Sequence, residues 1–155
     1  MDSFLFIGTH DIVLDEKNRI VMPAAFRKDN SEELLTSKYV ATPHYHGYLI
    51  IRPQASWEAY VDAIRNDPEL APSVKREFER KLYNNSVRLK LDSLYRIVLS
   101  PKLRGVLLFE DDSPRQNLKI LGCGQHFEVW PQNLFKGEEK SLAELSGLID
   151  RFDGI

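Results

Sequence analysis

Apolar and polar residues alternate over short stretches of this chain, and those stretches come in two matching sets. Val87, Leu89 and Leu91 alternate with Arg88 and Lys90, the two-residue period of a half-buried strand. The stretch from Phe4 to Leu14 is its counterpart near the N-terminus. Each is followed by four turn residues, Asp15-Glu16-Lys17-Asn18 and Asp92-Ser93-Leu94-Tyr95, where the chain is expected to reverse as a hairpin. Ile20-Val21-Met22 and Ile97-Val98-Leu99 then read as return strands, rich in β-branched residues. Pro23 and Pro101 stop them, and Ala24 to Lys28 leaves room for one short helical turn. A second hairpin follows in each set. Lys38 to Thr42 pairs with Tyr48 to Arg52 around Pro43-His44-Tyr45-His46-Gly47, and Leu118 to Leu121 pairs with His126 to Trp130 around Gly122-Cys123-Gly124.

The helical period appears between and after these sets. Trp57, Tyr60, Val61 and Ile64 form one apolar face after Pro53-Gln54-Ala55-Ser56, and Asn66-Asp67-Pro68 ends it. Ala71-Pro72-Ser73 is expected to cap a second helix, with Val74, Phe78 and Leu82 as a stripe among Lys75, Arg76, Arg80 and Lys81. Near the C-terminus Leu142, Leu145, Leu148, Ile149 and Phe152 are periodic again. The repetition extends to individual residues. Asp15 matches Asp92, Arg19 matches Arg96, Ile20-Val21 matches Ile97-Val98, and Arg27 matches Arg104. Ile51-Arg52-Pro53-Gln54 is echoed by Val129-Trp130-Pro131-Gln132. Two copies suit a pseudo-symmetric pair, whereas a solenoid needs at least three. The expected units are a hairpin unit over 6–53, a helical insert over 54–86, a second hairpin unit over 87–135 and a C-terminal helix over 136–155.

Composition changes this picture little. At 155 residues, 43% hydrophobic and 28% charged, the chain is that of an ordinary folded domain with one shared core. Its longest apolar runs, such as Tyr48 to Ile51 and Val106 to Phe109, are too short to cross a bilayer, so no membrane partner is expected. The opening residues lack the order of a secretory signal, and the single cysteine, Cys123, has no internal disulfide partner. Both point to the cytoplasm. A net charge of −2 leaves nucleic acid open as a partner only if cations gather on one face.

Candidate chemistry is sparse. No phosphate loop, nucleophile elbow or metal quartet is present, so an enzyme, a cofactor and a small-molecule substrate are not expected. His44-x-His46 has a ligand-like spacing without a third ligand and reads as a solvated loop. Cys123 reads as a turn thiol, and Glu110-Asp111-Asp112 as an acidic loop tip. The basic residues are more informative. Lys17, Arg19, Arg27 and Lys28 form a local cluster, offset by Asp15, Glu16 and Asp29. An arginine on a β-hairpin can set its planar fork against phosphate or a guanine edge, and a two-stranded ribbon fits the major groove. Asp15, four residues before Arg19, can accept from the arginine or close the turn, and Asp92 stands likewise to Arg96. A purely structural ion pair is the alternative for both arginines.

This framework resembles the MraZ family of bacterial transcriptional regulators, built from tandem SpoVT/AbrB-like swapped-hairpin units. The family pattern is carried by Phe6, Gly8, Asp15, Lys17, Arg19, Pro23 and Arg27, then Trp57-Glu58, then the second Asp92-x-x-x-Arg96. The resemblance spans about Phe6 to Phe135. It implies an α+β fold in which two pseudo-symmetric hairpin repeats form an intertwined barrel with helices packed outside. It also implies a cytoplasmic, nucleoid-associated homo-oligomeric ring that binds double-stranded DNA at repeated elements upstream of a cell-division and cell-wall operon. DNA contact then falls to Lys17, Arg19 and Arg96, with Arg27 and Arg104 as secondary candidates that could instead hold the fold. Asp15, Asn18 and Asp92 are expected to structure the turns. Where the family has glycine in its Lys-Gly-Arg run, this chain has Asn18 and Tyr95; asparagine tolerates a left-handed turn, while tyrosine is strained there. Leu94 replaces a lysine, and Ser100 stands where the first copy has Pro23. The second copy therefore reads as partly repurposed. A non-enzymatic oligomeric scaffold for protein partners, with DNA binding reduced, is the alternative function.

Overall fold

The structure, a computed structural model, describes residues 4–28, 31–138, 140 and 142–153; Asp29 of the expected cation cluster lies outside them. In chain order the elements are β1 (Thr9–Leu14), β2 (Arg19–Val21), α1 (Ala24–Arg27), α2 (Ser31–Thr36), β3 (Tyr39–His44), β4 (Tyr48–Pro53), α3 (Gln54–Arg65) and α4 (Pro72–Asn85). The second half supplies β5 (Val87–Leu89), β6 (Arg96–Val98), α5 (Pro101–Val106), β7 (Gln116–Gly122), β8 (Phe127–Pro131) and α6 (Gln132–Glu138). A 3-10 turn (Ala143–Leu145) leads into α7 (Ser146–Asp153). The expected helix over 136–155 thus falls on the end of α6, the 3-10 turn and α7, with 139, 141, 154 and 155 outside the described residues.

The fold is α+β, and its strands interleave the two copies. A six-stranded antiparallel sheet runs β1-β7-β8-β4-β3-β5, beside a separate two-stranded sheet of β2 and β6. β1 of the first copy pairs with β7 of the second, and β5 of the second pairs with β3 of the first. Exchanging the copies reverses this order onto itself, so a pseudo-twofold axis passes between β8 and β4. The β4–β8 register obeys it: Leu49 faces Val129, Ile51 faces Phe127, and Ile50 faces Glu128 on the axis. The same axis passes between Ile20 and Ile97, which face each other across β2 and β6. The expected return strands therefore exist but do not fold back as simple hairpins. After each tight turn the return strand pairs with its equivalent in the other copy. The exchanged pairing satisfies backbone groups of both strands and buries Ile20 and Ile97 together.

The core follows from this exchange. Phe6, Leu14, Ile20, Met22, Phe26, Leu49 and Ile51 are buried with Ile97, Leu99, Leu103, Leu118, Ile120, Phe127 and Val129, so both copies contribute to one cluster. Phe6 packs against Phe127 at 5.0 Å and Phe26 at 5.1 Å between ring centroids, in tilted and edge-on geometry. Such pairs contribute about 0.5–1.5 kcal/mol beyond area burial. The buried Tyr39 hydroxyl donates to the Leu34 carbonyl at 3.0 Å. Outside the sheet, Trp57, Val61 and Ile64 of α3 and Leu82 of α4 enclose Val40. The stripe expected on α4 is only partly realised: Leu82 is buried, but Val74 and Phe78 face solvent. Ala71 provides no side-chain cap there, and Pro72 opens the helix at its first turn.

Gly122 lies hard against the backbone of Phe6 and Ile7. Its amide donates to the Gly8 carbonyl at 2.8 Å, and a Cβ on it would strike the backbone of Phe6 and Ile7. Backbone cannot move aside as a side-chain tip can. Gly122→Ala is expected to destabilise the protein by about 1–3 kcal/mol, as overpacking does. Thermal unfolding followed by circular dichroism measures this, against Gly147→Ala, where the added Cβ meets nothing within 4 Å.

Candidate nucleic-acid interface

The two turns are built alike, atom for atom. The Asp15 amide donates to the Arg19 carbonyl, and the Asn18 amide to the Asp15 carbonyl, each at 3.0 Å. The second turn repeats both bonds at 3.0 Å, from Asp92 to Arg96 and from Tyr95 to Asp92. Asp15 Oδ1 accepts from the amides of Lys17 and Arg19, and Asp92 Oδ1 from those of Leu94 and Arg96, all at 2.9 Å. Both turns are closed by a left-handed residue, Asn18 and Tyr95, each with φ of 60°. For tyrosine this conformation costs about 1–2 kcal/mol. Contacts from the other copy hold it. The Tyr95 carbonyl accepts from the Met22 amide, and the Asn18 carbonyl from the Leu99 amide, both at 2.8 Å.

The remaining oxygen of each aspartate orients an arginine. Arg19 Nε donates to Asp15 Oδ2 at 2.8 Å, and Arg96 Nε to Asp92 Oδ2 at 2.7 Å. These pairs are partly exposed, so they add little net stability and serve mainly to fix direction. Bonding through Nε leaves the terminal guanidinium edge for another acceptor. In the β2–β6 register Arg19 faces Val98 and Val21 faces Arg96. Strand alternation puts all four on one surface, opposite the buried Ile20 and Ile97. Val21 and Val98 remain 48% and 55% exposed. The result is a flat, twofold patch with two arginines on one diagonal and two valines on the other.

The other cations sort differently from their order in the chain. Lys17 stands exposed on the first turn. Arg27 and Lys28 belong to the opposite end of the ribbon, and the Arg27 guanidinium lies 5.0 Å from the Tyr95 ring centre. The expected local cluster of Lys17, Arg19, Arg27 and Lys28 is therefore split, because antiparallel pairing of β2 and β6 puts the two turns at opposite ends. Arg104 makes the reciprocal contact. Its Nη1 donates to Asn18 Oδ1 at 2.9 Å and its Nη2 to the Ser113 carbonyl at 3.2 Å. Arg27 and Arg104 each clamp the turn of the other copy. Sequence reasoning missed Arg115, which shares a shallow cleft with Arg19 and pairs with Glu16 at 3.0 Å. Only the β1–β7 pairing brings it there, so no local pattern announced it.

Elsewhere, His44 lies in an aromatic stack, 4.4 Å from the Tyr48 ring, which in turn stacks on Trp130 at 3.9 Å. Burial pushes the His44 pKa below the usual histidine value. Ligand atoms of Cys123, His126 and Glu128 lie within 4.8 Å of one another. Burial, with the nearby Glu128 carboxylate, pushes the Cys123 thiol up to about 11, so it is protonated at neutral pH and a weak metal ligand. Asp111 accepts from the Ser113 amide and the Gln116 side chain, closing its own loop. Among the described residues no helix is long and apolar enough to cross a membrane.

Two interleaved copies, each with an aspartate-closed turn and an oriented arginine, define a duplicated swapped-hairpin protein. The family model described as "MraZ protein, putative antitoxin-like" matches residues 5–81. Three curated relatives named "Transcriptional regulator MraZ" align along nearly their whole length. That of Dechloromonas aromatica is 31% identical over 144 residues, covering 92% of this chain and 93% of the relative. That of Variovorax paradoxus is 30% identical over 140 residues, covering 90% and 92%. That of Methylibium petroleiphilum is 28% identical over 144 residues, covering 93% and 92%. The chain belongs to the MraZ family.

The turn aspartates make stability depend on acid pH. The Arg19 backbone bond holds the Asp15 carboxyl below its ordinary value of 3.8, helped by the Arg19 side chain and the Lys17 amide. At Asp92, burial pushes upward, but the bonds from Arg96 and Leu94 outweigh it and the pKa is again lowered. A depressed carboxylate contributes stability that is present above the unfolded value and lost as pH falls through the folded one. Asp15→Asn with Asp92→Asn is therefore expected to lower the melting temperature at pH 7, and the gap to wild type should close as pH drops below 3.8. A gap that stays constant with pH would assign these residues a purely steric role.

Proposed function

We propose that this protein is a transcriptional regulator that binds double-stranded DNA through the exposed face of the β2–β6 ribbon. The observation that carries this reading is the twofold placement of Arg19 and Arg96, each oriented by its own aspartate on one open surface. An antiparallel ribbon matches the width of the major groove, and a guanidinium presented edge-on suits both guanine and phosphate. Lys17 and Arg115 at the first turn extend the cationic footprint. The second turn presents Leu94, 60% exposed, so the two ends of the ribbon are unequal partners for DNA. One subunit with a net charge of −2 binds weakly. A homo-oligomeric ring on repeated operator elements, upstream of a cell-division and cell-wall operon as the family resemblance implies, multiplies that affinity through effective concentration. In this reading Arg27 and Arg104 support the turns, and the protein acts without catalysis at the nucleoid.

The exposed Val21, Val98 and Leu94 favour a second reading, a scaffold that receives protein on the same face. Salt separates the two. DNA binding should fall steeply as ionic strength rises, because phosphate contacts release counterions. In fluorescence anisotropy on DNA from upstream of its own gene, Arg19→Ala should weaken binding by about 1–3 kcal/mol if Arg19 reads a base. If it contacts phosphate, the salt slope should drop by about one. Light scattering should show the oligomer unchanged. Binding indifferent to both salt and Arg19 would favour the scaffold.

A further inference from the structure

The tip of the β7–β8 hairpin gathers three side chains of metal-binding type. Cys123 and His126 are separated by two residues, the gap by which zinc turns space a pair of ligands. Glu128 follows two residues after His126, so along the extended chain the two share a face. The Cys123 sulfur, a His126 ring nitrogen and a Glu128 carboxylate oxygen all lie within 4.8 Å of one another. A tetrahedral zinc ion with bonds of about 2.0–2.3 Å holds its ligand atoms about 3.3–3.8 Å apart. Closing the difference takes a movement of about 1 Å, which side-chain rotation at a turn supplies.

The surroundings prepare this set. The Cys123 amide donates to the His126 carbonyl at 2.9 Å, and Gly124 turns the chain with φ of 84°. The Phe6 amide donates to the Gly124 carbonyl at 2.7 Å, and the Gly124 amide to the Phe6 carbonyl at 3.0 Å, which pins the tip from outside. Trp130 Nε1 donates to Glu128 Oε1 at 2.8 Å, an outer partner that orients the carboxylate and leaves its other oxygen to coordinate. Burial, with Arg52 nearby, lowers the His126 pKa and keeps the ring neutral, the form that ligates. The Cys123 thiol is a weak ligand only while it holds its proton, and a coordinated divalent ion displaces that proton outright.

Repeat symmetry sets the site apart. The axis that carries Ile50 onto Glu128 carries Tyr48 onto His126. The first copy thus has a tyrosine and an isoleucine where the second has two metal-binding groups. Neither group is required by the repeated fold, and both fall beside the cysteine.

We propose that Cys123, His126 and Glu128 bind a zinc-class divalent cation, with three protein ligands and a fourth position open to solvent. The ion ties the hairpin tip to β8 and, through the Gly124–Phe6 bonds, secures the N-terminal segment. This site is independent of the DNA-binding face.

Cobalt, which reports on zinc sites by its spectrum, tests this in the full-length protein kept reduced. Titration should raise a thiolate-to-cobalt charge-transfer band that saturates at one ion per chain and is bleached by zinc. Cys123→Ser should abolish the band. Loss of an outer partner typically costs about 10–100-fold in metal affinity, so His126→Ala and Glu128→Gln, which remove ligands, should each cost at least tenfold. Circular dichroism checks that the variants are folded, and zinc should raise the melting temperature of the wild type but not of Cys123→Ser. No band with the folded wild type would overturn the proposal. So would a band of unchanged affinity in both His126→Ala and Glu128→Gln, which would mark a lone surface thiol, or saturation at half an ion per chain, which would mark an ion shared between two molecules.

Discussion

β2 and β6 are three residues long and, among the described residues, find their strand partner only in each other, and the architecture follows from that constraint. Pairing across the copies supplies the missing bonds and drives Ile20 and Ile97 into the interior together. Once those two meet, β1 and β5 are directed onto the opposite hairpins, and one core gathers residues from both copies. Neither half has a sheet of its own, so the two copies share one sheet and one core despite the repeated sequence.

The same constraint shapes the ribbon surface. With the inner face committed to isoleucine, strand alternation leaves Arg19, Val21, Arg96 and Val98 no choice but to face out. The aspartates then serve two purposes with two oxygens. One closes the turn by accepting backbone amides, and the other aims a guanidinium. Turn geometry and arginine direction are thus one structural unit, and neither can drift without disturbing the other. Tyr95 shows how firmly the backbone is held. A bulky residue keeps the left-handed conformation that asparagine adopts more easily, supported by Met22 and by the Arg27 guanidinium over its ring.

Much of this could be read along the chain, because it is local. Strand alternation, the aspartate turns and the apolar face of α3 depend on neighbours within a few residues, which is why the sequence pattern speaks to them directly. What the local pattern leaves open is long-range. Period alone does not say that β2 leaves its own hairpin for β6, since each strand looks the same with either partner; the expectation of intertwined, swapped hairpins came from the family resemblance. For the same reason proximity in sequence groups Arg27 with Lys17 and Arg19, although it lies against Tyr95 in the fold, and gives no sign of Arg115 beside Arg19. The α4 stripe is only partly buried for a related reason. Helical spacing shows that Val74, Phe78 and Leu82 share a face, but not how far the neighbouring surface extends to cover it.

The pairing of β1 with β7 also sets a schedule for biosynthesis. Leu14 lies opposite Gln116, about a hundred residues further along the chain. At roughly 5–20 residues per second, β1 emerges from the ribosome about 5–20 s before its partner strand exists. Early in that interval Phe6, Leu14 and Ile20 have no complete core to enter, since the core residues of the second copy, from Leu89 to Val129, are made later. The nascent chain is therefore exposed to mispairing with other nascent copies, and a strand that accepts the matching hairpin of a neighbour makes the same contacts in the wrong molecule. Closure within one chain depends on the second copy arriving tethered, at a local concentration that a separate chain cannot match. Fusing the two copies in a single polypeptide turns a bimolecular encounter into an intramolecular one, and makes assembly of the core independent of how much protein the cell contains.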